Sequence, residues 1–377
     1  MPLQIAVKNK TREIFFAFLS IVFGLIFALV LAEWLLGIYS ERLQTDVMDP
    51  GLIRYNALLG WSLSPDWSGV HKRYDYEVTY TTNQFGFRHQ SEYGASPPEK
   101  RIAVFGDSFT FGLGVNDEET FVSRLNQSKS GIYYVNYAIP GTSTDQQLLL
   151  INQILENEPA DEILLVVYLA NDLIDNTLLY PTQAQQGKPH FGLTNDRLQL
   201  TNTPVPLTTK PPVLQQTTLG SLVLADSDLA LSAPSLLSRY RFTRLLTGFL
   251  QEQYDSSTLN TVFEKNLEHS LNLFSAILDN IALALENNDR EFSVILMPGR
   301  DAITDTGSLS QQYQNFLRNN LNDILTARGI KHLDLMTNLL GMVDNTDPLF
   351  FPNDGHLTPE GHAMVAELIA SFTTYEN

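Results

Sequence analysis

The sequence predicts an α/β fold: a parallel sheet covered on both faces by helices, with one apolar helix ahead of it. Three observations carry this expectation. From residue 101 onward, short apolar runs alternate with amphipathic stretches, the pattern of successive βαβ units. The clearest run, Glu162-Ile-Leu-Leu-Val-Val-Tyr168, is apolar almost throughout, as a strand buried on both faces must be. Residues 14–32 are uncharged and long enough to cross a bilayer.

The 377 residues, 44% of them hydrophobic, suffice for one large domain with appendages or for two domains. The formal charge of −18 argues against nucleic acid as a partner, because phosphate binding needs a basic face. There is no cysteine, which excludes disulfides, thiolate metal sites and a cysteine nucleophile.

Ile14 to Ala32 carries a single hydroxyl, at Ser20. As a helix it spans about 28 Å, close to the hydrocarbon thickness of a bilayer. Lys8, Lys10 and Arg12 precede it, so the positive-inside rule keeps residues 1–12 in the cytoplasm. Residues 13–39 then form a lipid-embedded anchor, and the rest lies outside, in the periplasm of a Gram-negative cell. A cleaved signal peptide ending at Val30-Leu31-Ala32 is the competing reading. Against it, the run is long for a signal core and continues through Trp34 to Ile38. A buried core helix would show a polar face, which this stretch lacks.

Residues 40–100 read as a connecting region. Tyr74 to Thr82 suits an exposed strand, Asn83 to Arg88 a turn, and Ser96-Pro97-Pro98 a boundary. The domain that follows, 101–377, opens with a buried strand at Ile102 to Phe105 that runs into Gly106-Asp107-Ser108. Glu118 to Leu125 has helical spacing. Tyr133 to Ala138 is a second strand, ending in Pro140-Gly141, and Thr144 to Glu156 is a helix. The strand at 162–168 ends near Asn171-Asp172. Residues 174–258 break the rhythm. They include an expected hairpin at Phe191 to Leu200 and a helix at Ser235 to Phe249 whose Arg239, Arg241 and Arg244 read as a solvated face. An insertion of this length leaving the sheet's carboxyl edge is a candidate lid. The pattern resumes with a helix at Leu259 to Glu286, a strand at Phe292 to Met297, a helix at Leu309 to Arg328 and a strand at Ile330 to Leu335. Asp354-Gly355-His356 precedes a last helix with Thr358 as its N-cap and Pro359 at its first position.

Four separated pieces therefore fall after strands or before a helix, where a doubly wound sheet gathers its ligands. Ser108 is a candidate nucleophile and His356 a candidate base. An acid near the histidine would fix its tautomer, as Asp354 is placed to do. The backbone amides of Ser108 and Gly141, with the Asn171 side chain, are candidate oxyanion donors. Blander readings stand beside these: Gly141 as a turn glycine, Asp354 as the start of a turn, Asp107 as a shaper of the nucleophile turn, His362 as a packing residue. No metal-ligand spacing occurs.

Gly106-Asp107-Ser108, Gly141, Asn171-Asp172 and Asp354-x-His356 together resemble the SGNH, or GDSL-type, hydrolases. The resemblance covers about residues 100–377. It implies a three-layer, flavodoxin-like α/β/α sandwich with a mostly parallel sheet. It implies Ser108 as nucleophile, His356 as base, Asp354 as its partner, and Ser108, Gly141 and Asn171 as the oxyanion hole. Two positions depart from the pattern. Leu169 stands where a glycine is usual, and the acid, often three residues before the histidine, is here two before, with Asn353 in the usual place. Whether Asp354 or another group orients His356 stays open. The expected function is that of a membrane-anchored esterase cleaving acyl, foremost acetyl, esters of an envelope polysaccharide without a cofactor. Transfer to a glycan hydroxyl and a non-catalytic glycan-binding or assembly role are the alternatives.

Overall fold

The computed structural model describes residues 2–43, 46–88, 97–128, 131–195, 197–209, 256–340 and 349–374. The first helix, α1 (Pro2–Leu43), falls in one of two compact units. Its stretch Arg12–Leu35 is long and apolar enough to cross a membrane, and none of its most apolar window is buried within the protein. The remaining described residues form a second unit.

That unit begins with five short strands, β1 (Asp46–Met48), β2 (Ile53–Asn56), β3 (Gly60–Leu63), β4 (Ser68–Arg73) and β5 (Tyr76–Thr81). Strands β1, β4 and β5 pair antiparallel in that order, and β2 pairs with β3. The strand expected at 74–82 is β5. Tyr74 and Asp75 instead turn the chain back from β4. Burial alternates along the hairpin, with His71, Val78 and Tyr80 on the covered face.

A five-stranded parallel sheet follows. Its elements are β6 (Lys100–Phe105), α2 (Ser108–Phe111), α3 (Phe121–Gln127), β7 (Ile132–Asn136), α4 (Thr144–Asn157), β8 (Glu162–Tyr168) and α5 (Asp172–Asp175). The antiparallel hairpin β9 (His190–Thr194) and β10 (Arg197–Thr201) lies outside that sheet, as expected around Asn195. Then come α6 (Ser256–Glu286), β11 (Glu291–Met297), α7 (Arg300–Thr304), α8 (Leu309–Ala327), β12 (Lys331–Asp334), α9 (Leu335–Leu340) and α10 (Pro359–Thr374). The helix expected over 118–125 is two pieces. A 3-10 turn at Asp117–Glu119 ends at Thr120, whose hydroxyl accepts from the Ser123 N–H at 3.1 Å and so starts α3 afresh. The expected helix at 235–249, with Arg239, Arg241 and Arg244, lies outside the described residues.

Strand order is β12-β11-β8-β6-β7, all neighbours parallel. Alternate residues point to opposite faces, so each strand feeds two cores. Ala103, Phe105, Leu165, Val167 and Leu296 pack with α4, α6 and α8. Ile102, Val104, Leu164, Val166 and Ile295 pack with α3, α7 and α10. The result is a three-layer sandwich. At the β7 end of the sheet, the Asn126 side-chain amide donates to the Tyr134 carbonyl at 2.9 Å and accepts from the Tyr134 N–H at 2.8 Å. The chain runs from β6 outward to β7, then crosses to the other side of β6 to make β8. The carboxyl ends of β6 and β8 are thus the topological switch point, where such sheets hold ligands.

Candidate active site

The turn after β6 is built for close approach. A Cβ on Gly106 would stand 2.2 Å from Thr110 Oγ1 and 3.3 Å from Val166 Cβ. Asp107 accepts from the Phe109 N–H at 2.9 Å and caps α2, whose first residue is Ser108. Burial pushes the Asp107 carboxyl up to about 6, against the pull of that N–H and of His356.

Ser108 Oγ lies 2.8 Å from His356 Nε2, across 248 residues of sequence. His356 Nδ1 in turn bonds Asp354 Oδ1. The loop that carries them is folded on itself. The Phe351 N–H donates to the His356 carbonyl at 2.8 Å, and Phe350 bridges Leu357. The His356 ring rests at 4.8 Å from the Phe109 ring, and Phe109 stacks on Tyr168 at 4.2 Å. Burial alone would raise the Asp354 carboxyl. The hydrogen bond to His356 and the charges of His356 and Arg73 outweigh it and hold the group below the usual carboxylate range.

Three further residues reach this acid, and sequence reasoning passed over them. Arg73 Nη1 is 2.9 Å from Asp354 Oδ2, and the Tyr76 hydroxyl donates to the same oxygen at 3.3 Å. The Asp75 carboxylate accepts from the Asn353 N–H at 2.8 Å, the Asp354 N–H at 3.1 Å and the Asn353 side-chain amide at 2.6 Å. The only local signal was a charged and aromatic run, Arg73-Tyr74-Asp75-Tyr76, at what proves to be a hairpin tip.

Gly141 lies beyond the end of β7 at φ +75°, a conformation suited to glycine. The Trp61 indole N–H fixes the peptide before it, donating to the Pro140 carbonyl at 3.0 Å. Asn171 follows β8, is buried, and donates its side-chain amide to Asp175, which also accepts from the Thr182 N–H at 2.7 Å. The Asn171 Oδ1 is buried without a partner. Asp172 accepts from the Tyr168 N–H at 2.9 Å, and burial raises its carboxyl well above the usual range. The structure thus joins Ser108, His356 and Asp354 in one chain of bonds. Gly141 and Asn171 follow the strands on either side of β6, and among the described residues no hydrogen bond links them to Ser108. His362 accepts from the Phe121 N–H at 3.2 Å and stacks on Phe121, deep in the second core. Among the described residues no group of three His, Asp or Glu side chains is gathered as a metal site requires.

Comparison with known proteins adds three findings. The family model for GDSL-like lipase/acylhydrolase matches residues 102–369. No curated protein matches the chain in sequence. Solved structures resemble it at low identity. A variant of an acetyl-xylooligosaccharide esterase from Geobacillus Stearmophilus is 13% identical, with 74% of this chain and 96% of that one covered and a TM-score of 0.39. A member of the lipolytic protein G-D-S-L family from Veillonella parvula is 13% identical, covering 73% and 97%, with a TM-score of 0.34. The esterase EstA from Pseudoalteromonas is 11% identical, covering 73% and 97%, with a TM-score of 0.36.

Proposed function

This chain belongs to the GDSL-like lipase/acylhydrolase family, and we propose that it is a membrane-anchored serine esterase acting on acyl esters, foremost acetyl esters of an envelope polysaccharide. The observation that carries the reading is the unbroken chain from Ser108 Oγ through His356 to Asp354 at the switch point of the sheet. Serine is a weak nucleophile until its proton is taken. His356 Nε2 takes that proton as Ser108 attacks the ester carbonyl, and Asp354 stabilises the imidazolium that forms. The charge on the tetrahedral oxygen is met by the Ser108 and Gly141 amides and the Asn171 side chain. Collapse expels the alcohol, which receives the proton from His356 and leaves acyl-Ser108. Water activated by the same histidine then releases the acid. The apolar span at Arg12–Leu35 supports an anchor, and Lys8, Lys10 and Arg12 before or at its start support a cytoplasmic amino terminus.

A fluorophosphonate probe and an aryl acetate test the reading on the full chain in detergent. The wild type should label and turn over, and Ser108→Ala should do neither. A wild type that neither labels nor hydrolyses would leave a non-catalytic glycan-binding role. Turnover that rises with added glycan would put the acyl group on a sugar hydroxyl instead of water. Resistance of the membrane-bound chain to extraction by high salt checks the anchor.

A further inference from the structure

We propose that Arg73 is a positioning residue for the Ser108–His356–Asp354 relay, and that the β4–β5 hairpin is thereby part of the machinery of the esterase reaction on which this inference rests. The short spacing between acid and base creates the need. Asp354 stands only two residues before His356, so its Oδ1 serves both the His356 backbone N–H, at 3.2 Å, and the ring Nδ1. Oδ2 is left facing away from the base, in a side chain that is fully buried. A buried carboxylate with one unsatisfied oxygen would rotate or take up a proton. Arg73, at 2.9 Å, and the Tyr76 hydroxyl, at 3.3 Å, occupy that oxygen. Asp75 meanwhile ties down the Asn353 and Asp354 amides on the same loop.

Arg73 is held by charge on its other side as well: its Nε, which is buried and makes no hydrogen bond, lies 3.3 Å from Asp46 Oδ2, and Asp46 Oδ1 meets His71 Nε2 at 2.9 Å. Behind it, the Tyr80 oxygen accepts from the Gly114 N–H at 2.9 Å and lies 2.9 Å from His71 Nδ1. This places Arg73 between two carboxylates, Asp46 and Asp354, with a hydrogen-bonded wall behind the first.

The groups around the Asp354–His356 pair are Asp107 on the nucleophile turn and His362 on α10, on the His356 side, and Arg73 and Tyr76 on the hairpin, at Asp354 Oδ2. Asp172 and Asp175 stand behind Asp107. Arg73 is the cation paired with the carboxylate of the relay. Without it the surroundings of the Asp354–His356 pair become more anionic and Oδ2 loses its charged partner. Both changes favour the protonated pair.

The test uses the full chain in detergent micelles, an aryl acetate, and the variants Arg73→Met and Arg73→Lys. Arg73→Met should lower kcat about 10-fold to 100-fold, at or below the lower end of full acid–base effects because His356 itself remains, with KM held within about twofold. The acid limb of its kcat/KM profile should move to higher pH. Arg73→Lys should return the limb and part of kcat. Tyr76→Phe, which removes the longer bond, should act in the same direction at smaller size. A readout free of turnover is the downfield imidazole N–H proton resonance of the histidine–carboxylate bond, assigned by its loss in His356→Gln. It should shift or vanish in Arg73→Met and persist in Arg73→Lys. An unmoved limb with an unchanged resonance overturns the proposal. So does a loss of kcat that lysine does not relieve and that follows the unfolded fraction. A resonance that responds to Arg73→Met in a wild type without turnover would uphold the positioning and reject the esterase reading.

Discussion

Phe109 lies over Tyr168 with ring centroids 4.2 Å apart and planes 27° from parallel, and the His356 ring rests 4.8 Å from Phe109. The residue after Ser108, the proposed nucleophile, is thus the support of His356, the proposed base. Phe109→Ala should leave a cavity and cost about 3–5 kcal/mol of stability. It should also lower kcat of the folded enzyme, because His356 loses the surface that holds its ring. Phe109→Leu should recover most of the stability and less of the rate. Thermal unfolding and kinetics on the same samples separate the two effects.

Asn171 Nδ2 gives one of its two hydrogens to Asp175, which leaves one for a developing oxyanion. Asn171→Ala should therefore lower kcat by about a hundredfold to a thousandfold with little change in KM. Asp175→Ala, which frees the amide to rotate, should produce a smaller loss in the same parameter. A folded Asn171→Ala enzyme within about fivefold of wild type, well short of the usual donor effect, would remove Asn171 from the oxyanion hole.

Asp107 pulls stability in a definite direction. Its folded value of about 6 lies above the unfolded 3.8, so the protonated form favours folding and that contribution is lost as pH rises from about 4 to about 6. Asp107→Asn keeps an acceptor for the Phe109 N–H and has no charge to bury. It should be more stable than wild type at pH 7, by about 3 kcal/mol, and no more stable at pH 3.5. Tm measured at both pH values decides this.

His362 acts with the opposite slope. Burial, with the cations of Arg88 and Arg124, pushes it down from 6.5 to about 3. The unfolded chain binds a proton there before the folded one does. Stability should be full above pH 6.5 and fall as pH drops toward 3, by up to ~1.4 kcal/mol per unit. His362→Gln keeps a side chain able to accept from the Phe121 N–H and should flatten that slope. A slope identical to wild type in denaturant titrations between pH 4 and 7 would rule this out.

Much of the architecture was readable from local pattern. Residues 162–168 are apolar on both faces because β8 lies in the middle of the sheet, between β6 and β11. That Ser108 would meet the Asp354–His356 pair was readable because a parallel sheet presents its strand ends together, so position along the chain implies position in space. Arg73, Asp75 and Tyr76 were not readable. Their partner at Asp354 is some 280 residues away, and nothing about a charged residue at a hairpin tip names the loop it will meet. The break at Thr120 was hidden for another reason: a threonine whose hydroxyl turns back to cap a new helix fits the same periodicity as one that continues it.

The Asn126 amide on Tyr134 bears on how these molecules behave when crowded. A terminal strand ordinarily offers a row of free donors and acceptors on which a foreign strand can grow. Here the donor and acceptor of one residue in mid-strand are already taken by a side chain from the same chain, in the manner of a single rung of an added strand. An incoming ladder would have to displace Asn126 before it could pass Tyr134. The sheet is in this way stoppered against edge-to-edge polymerisation at its β7 end.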